Sequence, residues 1–340
     1  MKLGIIGTGK IIIDVLYAMK PLEEISCNAI FAREHSRDKG EDLAKQYMIK
    51  EVYTDYDELL DKADIDTVYI GLINSVHYEY AKRALEKGKN VILEKPFTGT
   101  YAEAKELLDL AEKKDLFVFE AITVLHNDVI GKMKQSLPRL GKIRMMIANY
   151  SQYSSRYDRY LAKEVDHSFD PKYLGGALRD INVYNLHYAV SLFGAPNKTD
   201  YYPNIGFNGI DTSGTMVMQY DGFSAICTGT KDSDSPCFVS IQGEKGYMRI
   251  DGKPNVAENL TIVVTDDSSD ELIRDTAGAM VRPVIKEEFV PETVHHRMTR
   301  EFADFAHMID TKDRVSAKLY STETLEIMNI IEGSLNYNNL

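Results

Sequence analysis

The chain predicts an α/β protein: an N-terminal doubly wound parallel sheet of the Rossmann type, then an α+β region built on a large, mainly antiparallel open sheet. Three observations carry this. Short apolar runs alternate with amphipathic helical stretches over the first 120 residues. A glycine-rich turn, Gly7-Thr8-Gly9, directly follows the first run. Beyond about residue 122 the strand candidates lengthen and alternate, as strands with one covered face do. A chain of 340 residues is long for one hydrophobic core, so two domains are expected, 1–121 and 122–340.

In the first part the expected strands are Leu3–Ile6, Cys27–Phe31, Val52–Tyr53, Thr67–Ile70, Val91–Leu93 and Phe117–Phe119. Asp55-Tyr56-Asp57-Glu58 and Thr100-Tyr101-Ala102-Glu103 fit capping boxes, in which the first side chain and the glutamate satisfy each other's free backbone amides. After Thr100, Ala104, Leu107, Leu108 and Ala111 share one helix face. The helix beginning near Tyr78 stops at Lys87-Gly88.

In the second part strands are expected at Ile143–Tyr150, Thr215–Tyr220, Phe223–Thr230, Phe238–Gln242, Tyr247–Ile250 and Leu260–Thr265. Asp221-Gly222 marks a hairpin of type I′. A helix from about Ala177 to Phe193 ends at Gly194 and Pro196, and two more, about Thr293–Ile309 and Ser316–Ile331, finish the chain. The stretch Tyr150–Tyr173 is rich in tyrosine and arginine without strong periodicity. It reads as a loop over a pocket or as a subunit contact.

With 40 basic and 52 acidic residues the net charge is −12, which opposes nucleic-acid and anionic-membrane partners. No run approaches the length of a membrane span. The first strand begins at once, so no signal peptide and a cytoplasmic location are expected. Cys27, Cys227 and Cys237 have no metal-type spacing, and Cys227 and Cys237 pair only if neighbouring strands align them; free buried thiols are expected. His295, His296 and His307 form no metal motif, so no metal is expected.

Gly7-Thr8-Gly9-Lys10-Ile11-Ile12 follows a strand and opens a helix, the setting in which backbone amides cradle a pyrophosphate. Ile12 stands where the third small residue normally lets helix and strand approach, so the helix is expected to stand off or start at a shifted angle. At the end of the second strand comes Arg33, followed by Glu34. An arginine there suits a 2′-phosphate and an acid suits a ribose hydroxyl, so NADP is favoured over NAD. Glu94-Lys95-Pro96 closes the fifth strand, placing a lysine at the carboxyl edge where open α/β sheets bind ligands.

These motifs, with Asn74-Ser75-Val76-His77 after the fourth strand, Gly175-Gly176 and Asp180, resemble the Gfo/Idh/MocA oxidoreductases along essentially the whole chain. The resemblance implies nicotinamide-dependent chemistry on a sugar, polyol or cyclic diol, and a homodimer or homotetramer formed through the C-terminal sheet. It also implies cofactor contacts from Asn74, His77, Glu94 and Lys95. Tyr184 stands where the inositol dehydrogenase branch has a histidine, and resembles the branch of dimeric dihydrodiol dehydrogenase and glucose-fructose oxidoreductase.

Asp180, Tyr184 and His187 lie at i, i+4 and i+7 on one helix face. Set against Lys95, they make a catalytic group. Lys95 would polarise the substrate oxygen, its pKa lowered by burial; Tyr184 would donate the proton, its pKa lowered by the lysine; Asp180 would orient Lys95; His187 would bind substrate. A non-catalytic dinucleotide- or sugar-sensing regulatory protein is the alternative on the same fold.

Overall fold

The computed structural model describes residues 1–268, 271–292 and 294–335. Its first sheet contains β1 (Lys2–Ile6), β2 (Ser26–Phe31), β3 (Glu51–Tyr53), β4 (Thr67–Ile70), β5 (Asn90–Glu94) and β6 (Val118–Ala121). All five strand pairings are parallel, in the order β3-β2-β1-β4-β5-β6. Helices cover both faces, which is why β1, β4 and β5 read as unbroken apolar runs. Strand order reverses between β1 and β4, opening a crevice at their carboxyl ends.

That crevice depends on two glycines. Gly7 has φ 121°, and a Cβ there would lie 2.9 Å from the Gly71 carbonyl oxygen at the end of β4. Ile12 is fully buried, and a Cβ on Gly71 would stand 2.7 Å from its Cδ1. The bulk at the third position of the turn is therefore accommodated across the sheet, at Gly71. Of the two expected boxes, Thr100 and Glu103 make a reciprocal one at 3.2 and 3.1 Å, whereas at Asp55 the side chain accepts from the Glu58 amide at 2.9 Å and the Glu58 carboxylate pairs with Lys62. Each cap contributes about 1 kcal/mol.

The second sheet contains β7 (Ile143–Ser151), β8 (Lys198–Ile205), β9 (Asp211–Tyr220), β10 (Phe223–Thr230), β11 (Phe238–Gly243), β12 (Gly246–Asp251), β13 (Leu260–Thr265) and β16 (Val284–Phe289). A small pair, β14 (Ile273–Arg274) and β15 (Met280–Val281), lies apart. The order is β16-β13-β12-β11-β7-β10-β9-β8, antiparallel except for β7 with β10, which run parallel. The β9–β10 turn forms at Asp221-Gly222, but only Gly222 has positive φ, at 85°. A type I′ turn needs both central residues there, so that expectation is corrected. Strand β7 separates Cys227 from the chain around Cys237, and all three cysteines are free.

The expected mid-chain helix begins as a π-helical turn, Leu178–Asn182, and continues as an α-helix, Val183–Phe193. It packs on the inner face of the second sheet, where Gly229 leaves room for Asn182. Two helices close the chain, Thr299–Thr311 and Arg314–Leu335; Thr293, the expected start of the first, lies outside the described residues. Phe302 and Phe305 pack with Ile5, Tyr69 and Phe119 of the first sheet, each burial contributing roughly 1.5–3 kcal/mol. The final helix puts Met328 into the first core and Ile327 and Ile331 into the second, joining the two. No described helix is long and apolar enough to cross a membrane.

Candidate active site

At the β1–β4 crevice lies a groove of about 450 Å³ lined by Gly7, Thr8, Gly9, Lys10, Ile11 and Arg33, with Lys39 and Leu72 beyond them. His35, Ser36, Arg156 and His167 also face it, and among the described residues no carboxylate does. The helix Lys10–Ala18 starts here with Gly9 as its cap and no acidic residue in its first turn, so its free amides and partial positive charge face the groove. A Cβ on Gly9 would meet nothing within 4 Å, which leaves the backbone open to a ligand. Among the described residues, Lys10, Arg33 and Lys39 have no ion pair. In a chain of net charge −12, a groove this cationic fits a dinucleotide polyphosphate. Glu34, the residue that would suit a ribose hydroxyl, is not among its lining.

Next to the groove, at the end of β5, the Lys95 ammonium donates to the Asp180 carboxylate at 2.9 Å and to the Asp180 carbonyl at 2.8 Å. Its nitrogen lies 5.2 Å from the centroid of the Tyr184 ring, which in turn lies 5.8 Å from Tyr150. The other oxygen of Asp180 meets Lys231 at 2.8 Å. Lys95, Asp180 and Tyr184 are thus brought together as the helical spacing implied. The widened π turn at their helix start is a feature often found at functional sites.

Electrostatics at this corner differ from expectation. Burial opposes the charge on Lys95, but Asp180, helped by Tyr184 and Glu94, outweighs it and raises the ammonium pKa above its ordinary value. Burial alone would push Asp180 up; Lys95 and Lys231 instead hold it well below the usual carboxylate range. Burial also raises the Tyr184 pKa, and Lys95 offsets only part of the rise. The corner therefore holds a fixed ammonium and a protonated phenol.

Four sequence-derived site residues have protein partners in the structure. His187 is fully buried, with Nδ1 3.0 Å from Glu323 and Nε2 3.4 Å from Glu120, so it faces these acids and not a substrate. His77 is fully buried too, its ring nitrogens 3.0 Å from the Pro96 carbonyl and 3.2 Å from that of Leu72. It braces the segment after Lys95 and does not reach the groove. Glu94 is buried and accepts from the Tyr69 hydroxyl at 2.6 Å. The Asn74 amide donates to the Leu174 carbonyl at 2.9 Å, tying the β4 loop to the second domain instead of meeting the groove.

The stretch after Tyr150 is not irregular throughout. It contains a short helix, Tyr157–Leu161, and two single turns, His167–Phe169 and Pro171–Tyr173. Tyr160 and Phe169 are buried and stack at 5.0 Å, fixed to the β8–β9 loop through Asn208. This strap puts Arg156 and His167 on the groove, both beside Asp166 at 3.4 and 3.3 Å.

The comparisons with known proteins agree with this architecture. Residues 1–122 match the Gfo/Idh/MocA oxidoreductase family with its NAD-binding Rossmann fold, and residues 137–249 match the Gfo/Idh/MocA C-terminal domain. The scyllo-inositol 2-dehydrogenase (NADP(+)) IolU of Bacillus subtilis is 32% identical over 251 residues, which is 74% of this chain and 76% of that one. The chain belongs to the Gfo/Idh/MocA oxidoreductases. It is a dehydrogenase or reductase that uses NAD or NADP. A trans-1,2-dihydrobenzene-1,2-diol dehydrogenase of Xenopus tropicalis is 27% identical over 254 residues, 73% of this chain and 74% of its own. The 3-ketoreductase KijD10 from Actinomadura kijaniata, solved with NADP and TDP-benzene, shares the fold over 99% of this chain and 97% of its own, with a TM-score of 0.81 at 21% identity. The relatives thus include both a scyllo-inositol dehydrogenase and dihydrodiol dehydrogenases.

Sequence reasoning missed Lys231, Glu120 and Glu323 entirely. Lys231 had a usable signal: it directly follows β10, as Lys95 follows β5. Glu120 and Glu323 had none, because their significance lies in a histidine on another element.

Proposed function

We propose that the protein is an NADP-dependent oxidoreductase interconverting a secondary alcohol and a ketone on a sugar, polyol or cyclic diol. The observation that carries this is the Lys95 ammonium held on Asp180 with the Tyr184 ring 5.2 Å away, beside a cationic, carboxylate-free groove. A bound nicotinamide supplies the hydride to the carbonyl carbon, or accepts it from the alcohol carbon. In reduction, Lys95 polarises the carbonyl oxygen and stabilises the negative charge that develops there. The Tyr184 hydroxyl gives that oxygen its proton, and solvent reprotonates the phenolate. In oxidation the same proton travels back. The raised Tyr184 pKa keeps the phenol in its donor form at neutral pH.

The groove argues for NADP: among the described residues Arg33 and Lys39 stand without ion pairs on its lining, and the NADP-dependent inositol dehydrogenase among the relatives fits the same preference. The substrate class follows from the relatives, which are named for an inositol and a dihydrodiol. Exposed Tyr202, Ile205 and Tyr247 on the second sheet support self-association through it; a monomer by sedimentation at micromolar concentration would refute that part.

The test is a spectrophotometric panel at 340 nm. NADP+ with inositols and dihydrodiols, and NADPH with keto-sugars, should show turnover on at least one compound. Tight NADPH binding with no turnover across the panel would instead support a sensor.

A further inference from the structure

Lys231 is 1% exposed, yet it carries an ammonium. Desolvating a lysine so completely is costly unless its donors are used. Here they are used in two directions. Nζ lies 2.8 Å from Asp180, the carboxylate that holds Lys95, and 2.6 Å from the Ser168 carbonyl in the strap. It also stands 4.3 Å from the centroid of the Phe169 ring, a cation–π position. The Lys231 backbone ties in the near end of the strap, since its carbonyl accepts from the Ser154 amide at 2.9 Å. Between those two anchor points the strap carries Arg156, while His167 adjoins Ser168, and both residues face the cofactor groove.

We propose that Lys231 is a positioning residue that couples the strap over the cofactor groove to Asp180, and through it to Lys95. The proposal rests on the groove taking a dinucleotide, as argued above, but not on any substrate. A phosphate drawing in Arg156 and His167 settles the strap. The Ser168 carbonyl then holds Lys231, and Lys231 keeps one oxygen of Asp180 occupied so that the other faces Lys95. Asp180 thereby serves two ammonium groups, and the corner keeps a net positive charge for the alkoxide.

The experiment uses the full chain, and its first two readouts need no turnover. Trypsin cuts after Arg156, Arg159 and Lys163, exposed residues of the strap, at a rate that reports its opening. NADPH affinity is read by its fluorescence. Lys231→Met should speed strap cleavage by about tenfold and weaken NADPH binding by about fivefold. Lys231→Gln keeps a donor for the Ser168 carbonyl and loses the charge, so it should fall between; it also serves if the methionine variant folds poorly. Asp180→Asn should itself speed cleavage by roughly threefold, and the double variant with Lys231→Met should be no worse than Lys231→Met alone. Multiplying effects in the double variant, or strap cleavage in Asp180→Asn equal to wild type, would reduce Lys231 to a packing role and overturn the coupling. Cleavage and affinity unchanged in Lys231→Met would overturn it outright. A third readout applies wherever a compound is turned over: the acid limb of kcat should move upward in Lys231→Met, because Asp180 then answers to Lys95 alone, the other titratable or charged groups of the corner being Tyr184, Glu94 and Arg297, with Asp211 near position 231. A chain that binds NADPH and turns over nothing would defeat the proposed function and leave these first two readouts intact.

Discussion

In the groove between β1 and β4, Lys10, Arg33 and Lys39 stand without a carboxylate among the described residues, and the backbone is open at Gly9. At the end of β5 the charges are held by protein partners: Lys95 and Lys231 both by Asp180, and Lys231 also by a carbonyl and an aromatic face. The first region leaves its cations for a ligand that brings the counter-charge. The second pairs its charges internally, two ammonium groups on one carboxylate, and so fixes their geometry before any substrate arrives, which is what catalysis by preorganised dipoles requires. Substitutions in the groove should therefore act on binding, and substitutions in the corner on rate.

The largest effect should come from the corner. Tyr184→Phe removes the proposed proton donor while leaving the ring on Lys95, and kcat should fall by about 10²–10³ with NADPH affinity little changed. A fall in affinity alone would erase the distinction between the two regions. In the groove, Arg33→Ala should weaken NADPH binding by about 30-fold and NADH binding by less than about threefold, measured by fluorescence titration. Equal losses for both cofactors would place Arg33 away from the 2′-phosphate.

A smaller effect tests the joint behind the corner. His187 lies between Glu120 and Glu323, and Glu120 also accepts from the Phe97 amide at 3.2 Å, two residues after Lys95. Burial would lower the His187 pKa, but the two carboxylates win and raise it from 6.5 to about 9. The sign follows from linkage: this stabilisation is complete below about pH 6.5 and is lost as pH rises through 9. It is on the order of 3 kcal/mol at most. Melting curves from pH 6 to 10 should show wild type losing stability faster than His187→Gln; parallel curves would mean the imidazole is neutral throughout.

The same contrast explains what was legible in the sequence. The groove is written in neighbours: Gly7 and Gly9 follow one strand and Arg33 ends the next, so strand and turn patterns alone locate them. The triad of Lys95, Asp180 and Tyr184 was readable because two members share a helix and the third ends a strand. The partners of His187 and Asp180 were not, since Glu120, Glu323 and Lys231 come from elements 67, 136 and 51 positions away in the numbering. Helical periodicity could not foresee the π turn at Leu178–Asn182, nor that His187 would face inward. The pKa directions of Lys95 and Tyr184 failed for the same reason, because they hang on how burial and Asp180 balance in space.

The division between a binding groove and a rate-setting corner is tested most directly by one preparation of Lys95→Met, assayed for NADPH affinity and for turnover together. Lost transition-state charge stabilisation should cut kcat by about 10³ or more while Kd for NADPH stays within about threefold of wild type. Turnover near the wild-type rate, or a loss explained wholly by weakened cofactor binding, would contradict it.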